Sequence, residues 1–237
     1  MCSCMYVVIT TFGEFMDETF LANTVLFQGT SPQEAKQMLS CLDAHEKSYR
    51  KGETILQAGS ITENIGLLLS GGANIEIDDV WGNNTILSHV KPGQLFAETY
   101  ACIPNEPLLV NVQASEKSNV LFLNASKILI TCSHSCMYHN QLIHNLLQIS
   151  AQKNLALSRR SVHTSSKSIR GRLLSYLSEQ ANLSGSNPFT IPFNRQQLAD
   201  YLGVDRSALS NELSKMKKDQ LITYHKNEFR ILAKNQK

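Results

Sequence analysis

The spacing of apolar positions changes character three times along the chain. After Ser31-Pro32, which supplies a cap and a proline at the first helical position, Ala35, Met38, Leu39 and Leu42 follow at helical spacing and predict a helix over residues 31–47. From Ser48 to about Leu123 the pattern breaks into short β-type runs at 54–56, 65–69, 74–77, 85–90, 110–112 and 120–123. Turn signals separate them at Lys51-Gly52, Ala58-Gly59, Gly71-Gly72, Trp81-Gly-Asn-Asn84 and Lys91-Pro-Gly93. Closely spaced strands with that punctuation predict a compact sandwich or barrel. A long helical stretch over 136–165 comes next, and a further helix from Ser168 to Asn182 leads through the polar loop Ser184-Gly-Ser-Asn-Pro188 to the last section. The chain divides on this pattern into a β-rich 1–135 with a helix near its start, a single long helix over 136–165, and a mostly helical 166–237. The fold class is α+β.

Within the last section, Asn194 to Ile222 has the pattern of a helix-turn-helix. Leu198, Ala199 and Leu202 give the first helix an inner side, with a small residue where a second helix approaches closely, and Gly203 closes it. Asp205 is the expected N-cap of the second helix, and Leu209, Leu213 and Met216 recur at i, i+4, i+7 to face the core. The opposite face carries Arg206, Ser207, Ser210, Asn211 and Lys215, side chains that hydrogen-bond base edges and phosphates in a major groove. After Ile222, residues 223–232 form two short β-type runs around Lys226-Asn227, the pattern of a wing. An ordinary helical corner with a solvated polar face would show the same periodicity.

Charge separates the two readings. Residues 1–135 hold 14 acidic and 7 basic side chains, whereas residues 136–237 hold 6 and 15. A formal total of +2 hides this partition. Basic charge gathered around a reading helix is the footprint of a duplex binder, because neutralised phosphates release condensed counterions. The long helix then takes on meaning. Leu142, Ile143, Leu146, Leu147, Ile149, Leu155, Ala156 and Leu157 make it too apolar for one solvated helix. Its stripe packs either on its own domain or on a second copy, and two-fold pairing is favoured because it gives a DNA reader defined half-site spacing.

No apolar run approaches the roughly 20 residues that a membrane span needs. The first ten residues lack a basic leader and a cleavage site, so the expected location is cytoplasmic. The six cysteines, at 2, 4, 41, 102, 132 and 136, are read mostly as reduced structural thiols. No glycine-rich phosphate loop, nucleophile elbow or paired metal motif is present, so an enzyme is not expected, nor is a cofactor or bound metal.

The order of β-roll, long helix and winged helix-turn-helix resembles the CRP/FNR family of bacterial transcription regulators, over nearly the whole chain from about residue 25. The stretches that carry the resemblance are Arg50 to Gly59, Leu69-Ser-Gly71, Lys91-Pro-Gly-Gln-Leu-Phe-Ala-Glu98, and Arg195 to Ile222. The resemblance implies a jelly-roll sensor domain over 1–135, a dimerisation helix over 136–165 and a DNA-binding domain over 166–237. It implies a homodimer on a palindromic duplex, a small-molecule effector, and RNA polymerase as a further candidate partner. By matched position, Asn194, Arg195 and Gln196 would contact backbone phosphate. Arg206, Ser207 and Asn211 occupy the principal base-reading positions, with Ser210 between them and Lys215 nearby. The best-known members usually carry glutamate and arginine where this chain has Ser207 and Asn211. Asparagine pairs with adenine rather than guanine, which points to a departure from the usual site. Glu212 stands where an aliphatic residue is common.

The sensor departs further. Cyclic-nucleotide-binding members carry a Gly-Glu pair followed by Arg-Ser or Arg-Thr, the arginine pairing with the cyclic phosphate. Here Ala97-Glu98 matches the first pair, but Leu108-Leu109 fills the second. The resemblance therefore implies no cyclic AMP or cyclic GMP binding. Candidate effector contacts are Phe96, Glu98, Leu108 and Leu109, although core packing predicts the same apolar residues. Two alternatives stay open. A redox- or metal-responsive member of the same family would use Cys132, Cys136 and His139, whose spacing would put them on one face if the stretch is helical. A helix-turn-helix serving only protein interaction is the more remote reading, against which the charge partition argues.

Overall fold

The computed structural model describes residues 17–78, 81, 84–129 and 137–232. Contacts divide the chain into two units, Met1–Ala151 and Gln152–Lys237. The division falls inside the long helix that the apolar pattern sets apart as a segment of its own.

The first unit begins with α1 (Glu18–Ala22) and α2 (Pro32–Cys41). Ser31 caps α2 in a capping box, its hydroxyl accepting from the Glu34 amide while the Glu34 carboxylate accepts from the Ser31 amide. The helix stops at Cys41 rather than continuing to 47, because Asp43 takes φ +50° and turns the chain into β1 (His45–Tyr49). Then come β2 (Thr54–Leu56), β3 (Asn64–Ser70), β4 (Ala73–Asp78), β5 (Asn84–Val90), β6 (Leu95–Phe96), α3 (Glu98–Ala101), β7 (Asn111–Ala114), β8 (Ser118–Asn124) and α4 (Ala125–Leu129). The helix α5 (Met137–Thr164) starts in this unit.

The strands form two antiparallel four-stranded sheets, ordered β1-β8-β3-β6 and β2-β7-β4-β5. Side chains alternate across β3 and β8. Leu68, Val120 and Phe122 point into the roll with Ile55, Val90 and Val112 of the second sheet. Ile65, Leu67, Leu121 and Leu123 point the other way, onto Leu26, Phe27, Leu39, Leu142, Leu146 and Ile149. A sheet buried on both faces reads as a continuous apolar run, which is why 65–69 and 120–123 stood out in the pattern. Asn145 fastens α5 to the segment after α1, its Nδ2 donating to the carbonyls of Leu26 and Gln28 at 2.8 Å each.

The second unit contains α6 (Ile169–Ser184), β9 (Phe189–Thr190), α7 (Arg195–Leu202), α8 (Arg206–Lys218), β10 (Ile222–His225) and β11 (Glu228–Ile231). Its core joins Leu173 and Leu177 of α6 to Leu198 and Leu202 of α7, Leu209, Leu213 and Met216 of α8, and Ile222 and Phe229 of the β10–β11 hairpin. The three strands form one antiparallel sheet, ordered β10-β11-β9. Among the described residues no helix is long and apolar enough to cross a membrane.

Candidate nucleic-acid interface

Two N-caps and one glycine shape the α7–turn–α8 element. Asn194 and Gln197 form a capping box at the start of α7, each side-chain oxygen accepting from the other's amide at 2.9 Å. Gly203 ends α7 at φ +64°, a conformation that costs glycine nothing and lets the chain reverse at once. Asp205 then caps α8 by accepting from the Ala208 amide at 2.9 Å. The Ser207 hydroxyl, and after it the Ala208 amide, hold the Asp205 carboxyl below its ordinary value. With Leu209, Leu213 and Met216 buried, Ser207, Asn211, Ser214 and Lys218 lie on the opposite, exposed face at i, i+4, i+7, i+11.

The residues predicted for DNA contact fall into two groups. Arg206, Asn211 and Lys215 are exposed, and their side chains make no hydrogen bond or ion pair with the described residues. The others are engaged inside the unit. Ser207 donates to Asp205, and the Ser210 hydroxyl donates to the Arg206 carbonyl at 2.9 Å. Gln196 Nε2 donates to Asp200 Oδ1 at 2.8 Å, and Asn194 Oδ1 serves its helix cap. Arg195 lies against the wing, its guanidinium 4.9 Å from the Tyr224 ring and 5.2 Å from the Phe229 ring, with Nη2 donating to the Lys226 carbonyl at 2.8 Å. Burial draws its pKa below the ordinary arginine value, opposed by Tyr224.

Sequence reasoning missed the groups that hold this element in place. The C-terminal carbonyls of α7 have no partners within the helix, and two arginines meet them. Arg160 of α5 donates to the carbonyls of Asp200 at 3.1 Å and Tyr201 at 3.0 Å. Arg172 of α6 donates to those of Leu202 at 2.9 Å and Gly203 at 3.2 Å, and through Nε to Ser166 at 2.9 Å. Positive charge at a helix C-terminus also interacts favourably with the negative end of its dipole. Arg170 pairs with Glu212 at 2.6 Å and Asp219 at 2.7 Å, which gives Glu212 its role at a position where an aliphatic residue is common: it ties α8 to α6. His163, buried, bridges Tyr201 Oη at 2.8 Å and Glu179 at 2.9 Å. No local pattern identifies these partners. Lys218 was within reach, since it continues the spacing of Ser207, Asn211 and Ser214.

In the sensor unit, the four candidate effector residues do not share one environment. Phe96 is buried with its ring over Gly66, where an added Cβ would lie 2.2 Å from Phe96 Cζ. Leu108 is buried and Leu109 is 67% exposed. Glu98 opens α3 as a buried residue, preceded by Ala97 at φ +60°. Cys132 and Cys136 lie outside the described residues, and His139 is buried on α5. Among the described residues, no group of three or more His, Cys, Asp or Glu side chains is placed to hold a metal ion.

Two family models match the two units. Residues 46–135 match the cyclic nucleotide-binding domain, and residues 171–236 match the Crp-like helix-turn-helix domain. The chain belongs to the CRP/FNR family of transcription regulators. A curated relative, the probable transcriptional regulator flp of Lacticaseibacillus casei, is 33% identical over 92 residues, so the match spans 39% of this chain and 42% of that protein. Among solved structures, CprK complexed with OCPA is similar at a TM-score of 0.59 and 14% identity, over 83% of this chain and 91% of that one. The c-di-GMP responsive regulator CLP of Xanthomonas campestris is similar at 0.51 and 13% identity, over 84% and 98%. At these identities the likeness is one of fold.

Proposed function

We propose that this CRP/FNR member is a cytoplasmic, homodimeric, sequence-specific DNA-binding regulator whose sensor unit responds to a small molecule other than a cyclic nucleotide. One observation carries the DNA assignment: α8 buries Leu209, Leu213 and Met216 and exposes the unpaired side chains of Arg206, Asn211 and Lys215 on the faces left over, in the basic part of the chain. Arg206 and Asn211 read base edges, with Ser207 and Ser210 beside them, while Lys215, Asn194, Arg195 and Gln196 border the phosphates.

Pairing follows from α5. Residues 150–162 of that helix are all exposed, yet Leu147, Ala151, Leu155, Ser158 and Val162 recur on one side of it. Three of these are large apolar side chains exposed by 51 to 67%. Such a stripe, running along a stretch of helix that no part of the described chain covers, fits a second α5. Two reading helices related by that symmetry address a palindrome, with half-sites about one helical turn apart. Engagement of RNA polymerase is the downstream step that such a regulator serves.

The effector reading rests on Leu108. At the position that would carry the phosphate-pairing arginine, this chain places a buried aliphatic side chain, so a cyclic phosphate finds no guanidinium there.

The test is selection of bound duplexes from a random pool, with and without cell extract, followed by salt titration of the enriched site. Binding that weakens steeply with salt supports the proposal. Arg206→Ala should reduce discrimination between the enriched and scrambled duplexes, whereas Lys215→Ala should weaken both about equally. No enrichment, or binding indifferent to salt, overturns the DNA assignment.

A further inference from the structure

A serine hydroxyl in a major groove is ambiguous: it donates to a base acceptor or accepts from a base donor, and by itself it selects little. Ser207 is not ambiguous. Its hydroxyl is hydrogen-bonded to Asp205 Oδ1, and an ionised carboxylate only accepts, so the proton belongs to the serine and points at Asp205. The same Oδ1 accepts from the Ala208 amide at 2.9 Å as the N-cap of α8. Asp205 therefore cannot turn away from Ser207 without uncapping the helix. These two bonds also favour the ionised carboxyl, whose pKa they hold below its ordinary value.

The other serines of this face differ. Ser210 donates to the Arg206 carbonyl and Ser214 to the Ser210 carbonyl, both neutral acceptors one turn back that a helical serine exchanges for another partner. Of the three, only Ser207 gives its proton to a charge. Ser207 is exposed on the face it shares with Asn211, opposite the buried Leu209, Leu213 and Met216, so its remaining lone pairs are what it offers a groove. Guanine and thymine present acceptors there, N7 and O6 or O4, whereas cytosine N4 and adenine N6 carry amino donors. The Asp205 charge behind the hydroxyl strengthens it as an acceptor and disfavours a second acceptor opposite it.

We propose that Asp205 is a specificity-determining residue: by taking the hydroxyl proton of Ser207, it makes that serine an acceptor and restricts the base opposite to cytosine or adenine. The inference rests on the DNA-binding reading above. Ser207 makes the base contact, and Asp205 is a positioning residue that sets its direction.

The test uses the full chain and the duplex enriched by the wild type, with each half-site base pair replaced in turn by the alternatives. Ser207→Ala locates the contact, as the position whose affinities for the different bases it brings to within about twofold of one another. There the wild type should favour cytosine or adenine on one strand over guanine and thymine at least about fivefold. Asp205→Gly removes the acceptor at little cost to the cap, and Asp205→Asn keeps the cap with a neutral acceptor. The glycine variant should narrow the preference to about twofold, the asparagine variant should fall between, and the Ser207→Ala, Asp205→Gly double variant should match Ser207→Ala. A capping role alone would change affinity for all these duplexes by one factor and leave their ratios as they were. Unchanged ratios in both Asp205 variants overturn the inference. So does a guanine or thymine preference at the Ser207 position, or a Ser207→Ala variant that alters no preference, and in each case the DNA-binding reading survives. Failure of the wild type to enrich any duplex removes both.

Discussion

Replacing Arg172 with alanine should destabilise the second unit while leaving the first unchanged. The side chain gives three hydrogen bonds, to Ser166, Leu202 and Gly203, and the last two place its charge on the C-terminal carbonyls of α7. Gly203 is exposed, so its carbonyl recovers water when the guanidinium leaves. Leu202 is fully buried, and its carbonyl recovers less. Counting one charged hydrogen bond at about 1.5–3 kcal/mol and the dipole at about 0.3–1 kcal/mol, and discounting the rest for rehydration, the loss is about 2–3 kcal/mol. For a domain of roughly 60–100 residues each kcal/mol moves Tm by about 4–8 °C, so a fall of about 8–24 °C is expected in the transition of this unit. Differential scanning calorimetry resolves it, with the first unit's transition as internal control. Arg172→Lys should fall between, since an ammonium retains the charge but not the planar fork that spans several carbonyls. DNA affinity should drop with Arg172→Ala below its Tm, because the same bonds set the turn between α7 and α8. A shift under about 2 °C would mean that the α7 terminus is secured by Arg160 and the α7–α8 packing alone.

Three further outcomes follow from single residues. Ala97→Gly should stabilise the first unit by about 0.5–1 kcal/mol, seen as a higher urea midpoint, because a side chain at φ +60° is relieved at the cost of some unfolded-chain entropy; a lower midpoint would show that the Ala97 methyl packs better than its backbone is strained. Cyclic AMP should give no low-micromolar binding in calorimetry, since leaving the phosphate unpaired costs about 2–5 kcal/mol, some thirty-fold to several-thousand-fold in affinity. A low-micromolar Kd would place another cation in that role. Leu155→Asp, on the exposed side of α5, should weaken self-association at least about a hundredfold in sedimentation equilibrium with the helical circular dichroism unchanged. Undiminished association would move the dimer seam elsewhere.

What could be read from the chain depended on whether the determining contact is local. The strand at 54–56 and the faces of α8 were legible because period and burial coincide there: Leu209, Leu213 and Met216 define one face, and the reading face is then fixed by geometry. The strand β1 was not, because His45, Glu46, Lys47 and Ser48 are polar and only Tyr49 is buried, so it holds its place by pairing with β8 rather than by its own pattern. The same division runs through the candidate site. A capping box spans three residues and can be recognised from Asn194 and Gln197 alone. Arg172 finds its carbonyls 30 and 31 residues along the chain, and Arg195 finds its carbonyl 31 residues along. Arginine at the start of a helix in a basic domain carries the same local signature whether it faces a phosphate or two aromatic rings. The difference lies in Tyr224 and Phe229, which only the sheet β10-β11-β9 brings under it. An arginine in a helix-turn-helix is therefore assignable as a DNA contact only after the unit's own acceptors have been filled. Here Arg206 makes no hydrogen bond or ion pair with the described residues, whereas Arg195 is already engaged by the wing.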